Sequence, residues 1–199
     1  MSTDREGPGT RGRPGATTHA DIERAAFALF ARDGFARTTL QAIATEVGVG
    51  RRTLFRYYPS KNDIPWGQFA RTLEWFRSIL DGMPTGLPVH ASVHRGVIEF
   101  NRFPAEAGEH HRERMRLILG TPELQAHSVH QYAAWRAVIA DHVAARLGCR
   151  PTDAEPLLAG HVSLSLALTS YELWLASEDE DLLAILGDTM ARLRGFLSG

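Results

Sequence analysis

The chain has 199 residues, of which 44% are hydrophobic and 23% charged, and its formal net charge at pH 7 is −1. No apolar run approaches the roughly 20 residues that span a bilayer, and no apolar segment follows the N-terminal arginines, so we expect a soluble, cytoplasmic protein. The single cysteine, Cys149, excludes an intramolecular disulfide and a cysteine-based zinc site.

The charge is unevenly distributed along the chain. Residues 1–63 contain ten Lys and Arg against seven Asp and Glu, whereas residues 64–199 contain twelve against sixteen. A net charge near zero by itself argues against a nucleic-acid-binding protein, but the distribution matters more, and the chain is electrically divided between these two parts.

The chain begins with a predicted basic arm. Residues 1–16 are rich in Gly, Pro and Arg without apolar periodicity, so we expect them to be disordered. Arg11-Gly12-Arg13-Pro14 either inserts into a minor groove or carries incidental charge. A first helix is then predicted from the cap signal at Thr18 to Asp21 until Gly34.

Two short helices follow and have the form of a helix-turn-helix unit. Thr38 followed by Gln41 resembles a capping box and opens a second helix, which ends at Gly48. A third helix covers Arg51 to Tyr57 and is closed by Pro59. In such a unit the second helix of the pair lies in the major groove, while neighbouring segments hold phosphates.

The third helix carries an unusual set of outward-facing residues. Leu54 can point into the small core, which leaves the others to face outward or sideways: Arg51, Arg52, Thr53, Phe55 and Arg56. Arginine can pair with guanine edges or phosphates, and Phe55 and the Thr53 methyl group can meet thymine methyl groups. The alternative is a solvated, charged helix that packs against the rest of the protein.

Three motifs in this region resemble the DNA-binding signature of the TetR family of bacterial transcriptional regulators. They are Thr38 to Ala44, Val47 to Val49, and Thr53 to Lys61. More narrowly, Gly50 to Thr53 and Pro59 to Gly67 resemble the branch of mycofactocin system regulators. Many family members have Ser-x-Gly where this chain has Gly50-Arg51-Arg52, and the extra arginines either shift base preference toward guanine or bind phosphate.

The resemblance implies roles for eight residues. Thr39, Tyr57 and Lys61 are expected to contact phosphates, and the groove-facing surface is expected to comprise Arg51, Arg52, Thr53 and Phe55. Arg56 fits either role. The resemblance also implies an all-α fold of about nine helices. It consists of a basic arm (1–16), a three-helix helix-turn-helix domain (17–63), and a ligand-binding and dimerisation domain (64–199).

The second domain is predicted to contain six helices, with Pro65 near the start of the first. Their expected ranges are 66–82, 89–103, 109–119, 121–148, 153–176 and 180–197. Pro122 is expected at the first position of the fourth of these helices, and Gly148 is expected to end it.

An effector site is expected among the aromatic residues of this second domain. Aromatic residues at helical spacing belong to the hydrophobic core more often than to a ligand pocket. In this domain, however, polar residues interrupt the aromatic stripe, as they do in many ligand sites. The candidate residues are Trp66, Phe69, Phe76, Phe100, Phe103, Arg114, Met115, Trp135, Tyr171 and Trp174. The residues by themselves predict a large, mostly apolar ligand, and the branch resemblance implies long-chain acyl-coenzyme A.

The last two helices carry apolar stripes that either belong to the core of one protomer or form a dimer interface. A helix-turn-helix domain reads one half-site, and paired readers lie about one DNA turn apart. The family resemblance implies a homodimer through a four-helix bundle. The residues expected at the interface are Leu164, Leu168, Leu175, Leu186, Met190 and Leu193.

Together these features predict a DNA-binding repressor that is released from its operator by an apolar effector; a corepressor response would use the same residues. One alternative is an all-helical carrier or enzyme for acyl thioesters. Another is a TetR-type regulator of an efflux or lipid gene with a different ligand. We expect no catalytic residues and no cofactor, because no nucleotide or hydrolase motif is present. Two histidine pairs, His90 with His94 and His127 with His130, are expected to be ordinary rather than metal ligands.

Overall fold

The computed structural model describes residues 17–177 and 180–199. The predicted arm, with Arg11 and Arg13, lies outside the described residues, as do Glu178 and Asp179. The described chain is all-α, with nine α-helices and no strand, as the sequence predicts. The helices are α1 (His19–Asp33), α2 (Leu40–Glu46), α3 (Arg51–Tyr57), α4 (Phe69–Asp81), α5 (Val89–Phe100), α6 (Ala105–Gly120), α7 (Pro122–Leu147), α8 (Ala154–Ala176) and α9 (Leu182–Ser198).

The chain forms two compact units, one that ends at Ile64 and one that begins at Pro65. In the first unit, α1 begins at a capping box in which the Thr18 hydroxyl accepts from the Asp21 N–H, and the Asp21 carboxylate accepts from the Thr18 N–H. Gly34 ends the helix with a positive φ of 84°. Both ends of α1 are therefore as predicted.

The cap of α2 differs from the prediction. Thr39, not Thr38, is the N-cap residue, and its hydroxyl accepts from the Ala42 N–H at 3.1 Å. Thr38 is buried, and its hydroxyl shares its one hydrogen between the carbonyl oxygens of Gly34 at 3.0 Å and Leu29 at 3.3 Å. The prediction of a Thr38 cap is wrong because that side chain anchors the turn between α1 and α2.

The turn from α2 into α3 depends on Gly48, which has a φ of 70° that non-glycine residues rarely adopt. It allows α3 to start at Arg51 with Leu54 fully buried. Tyr58, just beyond α3, is also buried, and its hydroxyl donates to the Glu23 carboxylate at 2.7 Å. This hydrogen bond joins the C-terminal end of α3 to α1.

The first helix of the second unit starts later than predicted. A 3-10 helix covers Lys61–Trp66 and contains Pro65, and α4 begins only at Phe69. Gly67 between them has a φ of 58°. The predicted start at Trp66 is wrong because proline lacks an amide donor and the left-handed glycine interrupts the helical path.

Other boundaries in the second unit shift by a few residues. α5 ends at Phe100, where the Asn101 side chain donates to the Val97 carbonyl at 2.8 Å, and α6 begins earlier than predicted. α7 has Pro122 in its first turn and stops at Gly148, which is left-handed, as predicted. None of the described helices combines the length and apolarity required to cross a membrane.

The core of the second unit is formed by apolar residues of α4 to α9. Its largest fully buried members include Phe76, Leu80, Ile118 and Ile139. α7 and α8 approach closely at Gly160, where an added Cβ would lie 3.0 Å from the carbonyl oxygen of Arg136.

Candidate nucleic-acid interface and effector site

α3 separates an inward apolar residue from an outward basic surface. Leu54 is fully buried, whereas the three arginines are exposed and the Phe55 side chain is 39% exposed. The guanidinium of Arg51 lies 5.2 Å from the centroid of the Phe55 ring, within the range of a cation–π contact. Thr53 and Tyr57 are half-buried at the edges of this surface.

The residues predicted to hold phosphates already have partners within the first unit. The Tyr57 hydroxyl donates to the Thr17 carbonyl at 2.6 Å, so a phosphate contact by Tyr57 requires exchange of this bond. The Lys61 ammonium donates to the Phe35 carbonyl at 2.8 Å and lies 4.2 Å from the Phe35 ring centroid. Because an ammonium carries three hydrogens, Lys61 retains donors. The exposed Thr39 hydroxyl retains its own hydrogen, since it accepts rather than donates at the helix cap.

The residues predicted to line an effector site fall into two groups. Phe76, Met115, Trp135, Tyr171 and Trp174 are buried in the core, which agrees with the caution that aromatic stripes are usually core. Trp66, Phe69 and Phe100 are partly buried against that core, and the Phe103 side chain is 37% exposed. The Arg114 guanidinium donates to the Pro65 carbonyl at 2.7 Å.

Aromatic rings connect several of these residues. The Phe76 ring centroid lies 4.5 Å from that of Phe100 and 5.3 Å from that of Trp135. Phe100 also contacts Trp75, which is 42% exposed, at 5.5 Å between centroids. The rings therefore form a continuous apolar path from the surface of α4 into the core of the second unit.

Each of the two units matches a known protein family. Residues 22–64 match the family model for bacterial regulatory proteins of the tetR family, and residues 87–198 match the model described as the MftR C-terminal domain. A protein of Mycobacterium tuberculosis (strain ATCC 25618 / H37Rv), named as a mycofactocin biosynthesis transcriptional regulator, MftR, is 43% identical over 88% of this chain and 89% of its own. The chain belongs to the TetR family of bacterial transcriptional regulators. The helix-turn-helix unit and the resemblance to mycofactocin regulators predicted from the sequence are confirmed.

Solved structures share the fold of this TetR-family regulator. Thermus thermophilus FadR in complex with lauroyl-CoA has a TM-score of 0.54 and 24% identity, with 87% of this chain and 92% of that chain covered. Bacillus subtilis FadR in complex with stearoyl-CoA has a TM-score of 0.59 and 17% identity, with 87% and 96% covered. At these identities the similarity establishes the fold alone.

The comparisons also decide between a regulator and an enzyme. Both family models and the M. tuberculosis relative are transcriptional regulators, so the prediction of a non-enzymatic protein is confirmed. Within the described part of the chain, no group of three or more His, Cys, Asp or Glu side chains is arranged to hold a metal ion.

The surface of α8 and α9 retains exposed apolar side chains. Leu158 is 64% exposed, Leu173 50% and Phe196 83%. Five residues predicted for a dimer interface are partly buried: Leu164, Leu168, Leu175, Met190 and Leu193. Leu186 is only 4% exposed and belongs to the core of the single chain, so it has almost no surface to give to a second copy.

The sequence analysis missed a polar cluster between α5, α6 and α8. His111 Nε2 lies 2.8 Å from the Tyr171 hydroxyl, which donates to Asn101 Oδ1 at 2.5 Å. Next to it, the buried Arg112 donates to the carbonyl oxygens of Trp174 and Ser177 at 2.8 and 2.6 Å. A signal was available, because His111 precedes the buried Met115 and Ile118 at i+4 and i+7 spacing and therefore lies on the inner face of α6.

Burial controls the protonation of this cluster. It lowers the pKa of His111 to about 4, assisted by electrostatic repulsion from the neighbouring Arg114 and His110. Burial also raises the pKa of Tyr171 well above its ordinary value. Both groups are therefore neutral near pH 7.

Proposed function

We propose that this regulator is a repressor that leaves its operator when a large apolar effector, such as a long-chain acyl-CoA, binds the second unit. The observation that carries the DNA-binding half of the proposal is the exposure of three arginines and Phe55 on α3 while Leu54 is buried. A solvent-facing helix gains little from an exposed phenylalanine next to three cations, whereas a major groove offers partners to both.

In this proposal the outward residues of α3 read the operator. Arg51 and Arg52 are at the N-terminal end of the helix, where base contacts concentrate in this motif, and Thr53 and Phe55 face the groove beside them. Arg56 binds either a base edge or a phosphate. Thr39, Tyr57 and Lys61 hold the backbone and so set the register of the reading helix.

The effector half of the proposal is supported by the aromatic path through Trp75, Phe100 and Phe76 and by the fold relatives. The two FadR structures contain lauroyl-CoA and stearoyl-CoA, each a long apolar chain joined to an anionic carrier. An apolar chain of this kind matches a site that is bounded by aromatic rings, and Arg114 is the candidate partner for the anionic carrier.

The active species in this proposal is a homodimer joined through α8 and α9. The exposed apolar side chains of these helices, with Leu164, Leu168, Leu175, Met190 and Leu193, supply the surface that a second copy would cover. Effector binding favours a dimer whose reading helices are wrongly spaced for DNA. By linkage it lowers DNA affinity by the same factor by which DNA lowers effector affinity.

Fluorescence anisotropy on duplexes tiled across the region upstream of the protein's own gene tests both halves. We expect specific binding to one tile and release on addition of oleoyl-CoA at fixed salt. Arg52→Ala should abolish specific binding and leave oleoyl-CoA affinity unchanged. Arg95→Ala, which removes an exposed arginine of α5, is the matched control and should bind as the parent does.

Each result has a distinct meaning for the proposal. Specific binding without release would support the DNA-binding repressor but contradict a long-chain acyl-CoA as its effector, so a different apolar ligand would have to be tested. If the Arg52→Ala variant binds the DNA duplex with the affinity of the parent, the assignment of α3 as the DNA-reading helix is contradicted. If Arg52→Ala weakens rather than abolishes specific binding, a salt slope that falls by about 1 would identify a phosphate contact, whereas relaxed sequence preference would identify a base contact.

A further inference from the structure

The polar cluster of the second unit is a directed chain of hydrogen bonds. The Asn101 amide nitrogen donates to the Val97 carbonyl at 2.8 Å, which leaves Asn101 Oδ1 as an acceptor. The Tyr171 hydroxyl donates to that oxygen. Because its single hydrogen is used there, the hydroxyl oxygen can only accept from His111 Nε2 at 2.8 Å.

This direction determines the tautomer of His111. Nε2 must carry the hydrogen, and burial keeps the ring neutral near pH 7 by lowering its pKa to about 4. Nδ1 therefore carries a lone pair and acts as a hydrogen-bond acceptor. No hydrogen-bond partner for Nδ1 is present among the residues that the structure describes.

The surroundings of the His111 ring are aromatic. The Phe103 ring lies 4.1 Å from it between centroids, and the Trp174 ring lies 6.0 Å from it. Phe103 is 37% exposed, so the imidazole lies directly beneath a surface residue of the loop between α5 and α6. The Arg112 guanidinium, which stacks on Trp174 at 4.1 Å, is already directed to carbonyl oxygens.

We infer that His111 is a specificity-determining residue that accepts a hydrogen bond from an N–H or O–H group of the effector, next to the effector's apolar chain. The inference rests on the proposed function, which assigns effector binding to this unit, and it narrows the effector to neutral donors attached to an apolar chain. In an acyl-CoA the amide N–H groups of the pantetheine arm supply such donors. Tyr171 is a positioning residue, because it acts through the tautomer of His111.

A matched pair of probes isolates this contact. N-methyldodecanamide carries one N–H donor, and N,N-dimethyldodecanamide carries none. Binding of each to the full chain is followed by tryptophan fluorescence, without DNA. We expect the first to bind about 5-fold more tightly, as one neutral hydrogen bond provides.

Three variants separate acceptance of a hydrogen bond from a structural role. His111→Phe retains an aromatic ring beneath Phe103 but removes the acceptor, so this variant should bind the N-methyl and the N,N-dimethyl amide with about equal affinity. Tyr171→Phe retains its ring but releases the tautomer, so the preference should fall part of the way. His130→Phe replaces an exposed histidine of α7 and should retain the full preference.

The parent protein alone offers a second readout. The ¹⁵N resonances of the His111 ring should show a hydrogen on Nε2, and the Nδ1 resonance should move on addition of the N-methyl amide but not of the dimethyl amide. Equal affinities of the parent for the two probes, failure of both to bind, or a preference retained by His111→Phe would overturn the inference. Failure of oleoyl-CoA to release DNA would instead contradict the proposed function, since the probe assay contains no DNA.

Discussion

At the scale of single residues, His111 is a half-buried neutral imidazole whose protonation opposes folding. Its pKa is about 4 in the folded protein against an ordinary value of 6.5, so the unfolded chain binds more protons between these pH values. The contribution of the neutral His111 ring to the free energy of unfolding is fully present above pH 6.5. It is lost progressively as the pH falls from 6.5 toward 4. We expect the parent to lose about 2 kcal/mol more of its free energy of unfolding between pH 7.5 and pH 5 than His111→Phe does.

Urea titrations of both proteins at the two pH values measure this difference. Burial also lowers the pKa values of His94 and His142, but these groups are present in both proteins and cancel in the comparison. An identical pH dependence of the parent and the variant would show that the pKa of His111 is the same in the folded and the unfolded protein.

A second residue-scale prediction separates the two faces of α3. Leu54→Ala removes a fully buried side chain and should lower the free energy of unfolding by about 2 to 5 kcal/mol. Arg52→Ala, two residues away on the exposed face, should change it by less than about 0.5 kcal/mol. Urea unfolding followed by circular dichroism tests both, and a large loss from Arg52→Ala would show that this side chain has a structural role.

At the scale of secondary-structure elements, Arg112 joins α6 to the C-terminal end of α8. Its guanidinium donates to two carbonyl oxygens there and stacks on Trp174, where the dipole of α8 favours a positive charge. Arg112→Ala should cost about 2 to 3 kcal/mol, because charged hydrogen bonds and a buried stack are lost together.

Amide hydrogen exchange in the last turn of α8, with urea unfolding of the whole protein, checks this prediction. Arg116→Ala is the control, because Arg116 is exposed and lies one turn further along α6. If the two variants have the same stability, the Arg112 contacts do not fasten these helices.

At the scale of the whole molecule, the proposed dimer depends on the exposed apolar face of α8 and α9. Leu173→Arg places a charge on that face and should shift the protein to monomers at micromolar concentration. Val129→Arg adds the same charge at another exposed apolar position, on α7, and should leave the dimer intact. Sedimentation velocity distinguishes the two results, and a dimeric Leu173→Arg variant would place the interface elsewhere.

The dimer prediction extends to DNA. A monomer reads one half-site, so Leu173→Arg should also lose most of its operator affinity although α3 is unchanged. Parental affinity in a variant shown to be monomeric would contradict the dimeric reading mode.

The periodic positions of apolar residues determined the helices, because an amphipathic helix reveals itself by local spacing. The Thr18 capping box, the Gly48 turn and the Gly148 stop are likewise local signals. The cap of α2 was mispredicted because the Thr38 side chain bonds to the carbonyl oxygens of Leu29 and Gly34 instead. The start of α4 was mispredicted because Pro65 and the left-handed Gly67 interrupt the helical path.

The sequence by itself determined the all-α class, the helix-turn-helix unit and the basic outward face of α3, since all of these depend on residues a few positions apart. Only the tertiary structure decided which apolar residues belong to the core and which are exposed. It shows that Leu186, predicted at the dimer interface, is buried, whereas Leu173 is exposed. It alone also brought together Asn101, His111 and Tyr171, which lie on three different segments. Hydrogen bonds between residues that are 60 or 70 positions apart leave no periodic trace in a sequence, because they depend on how the helices pack.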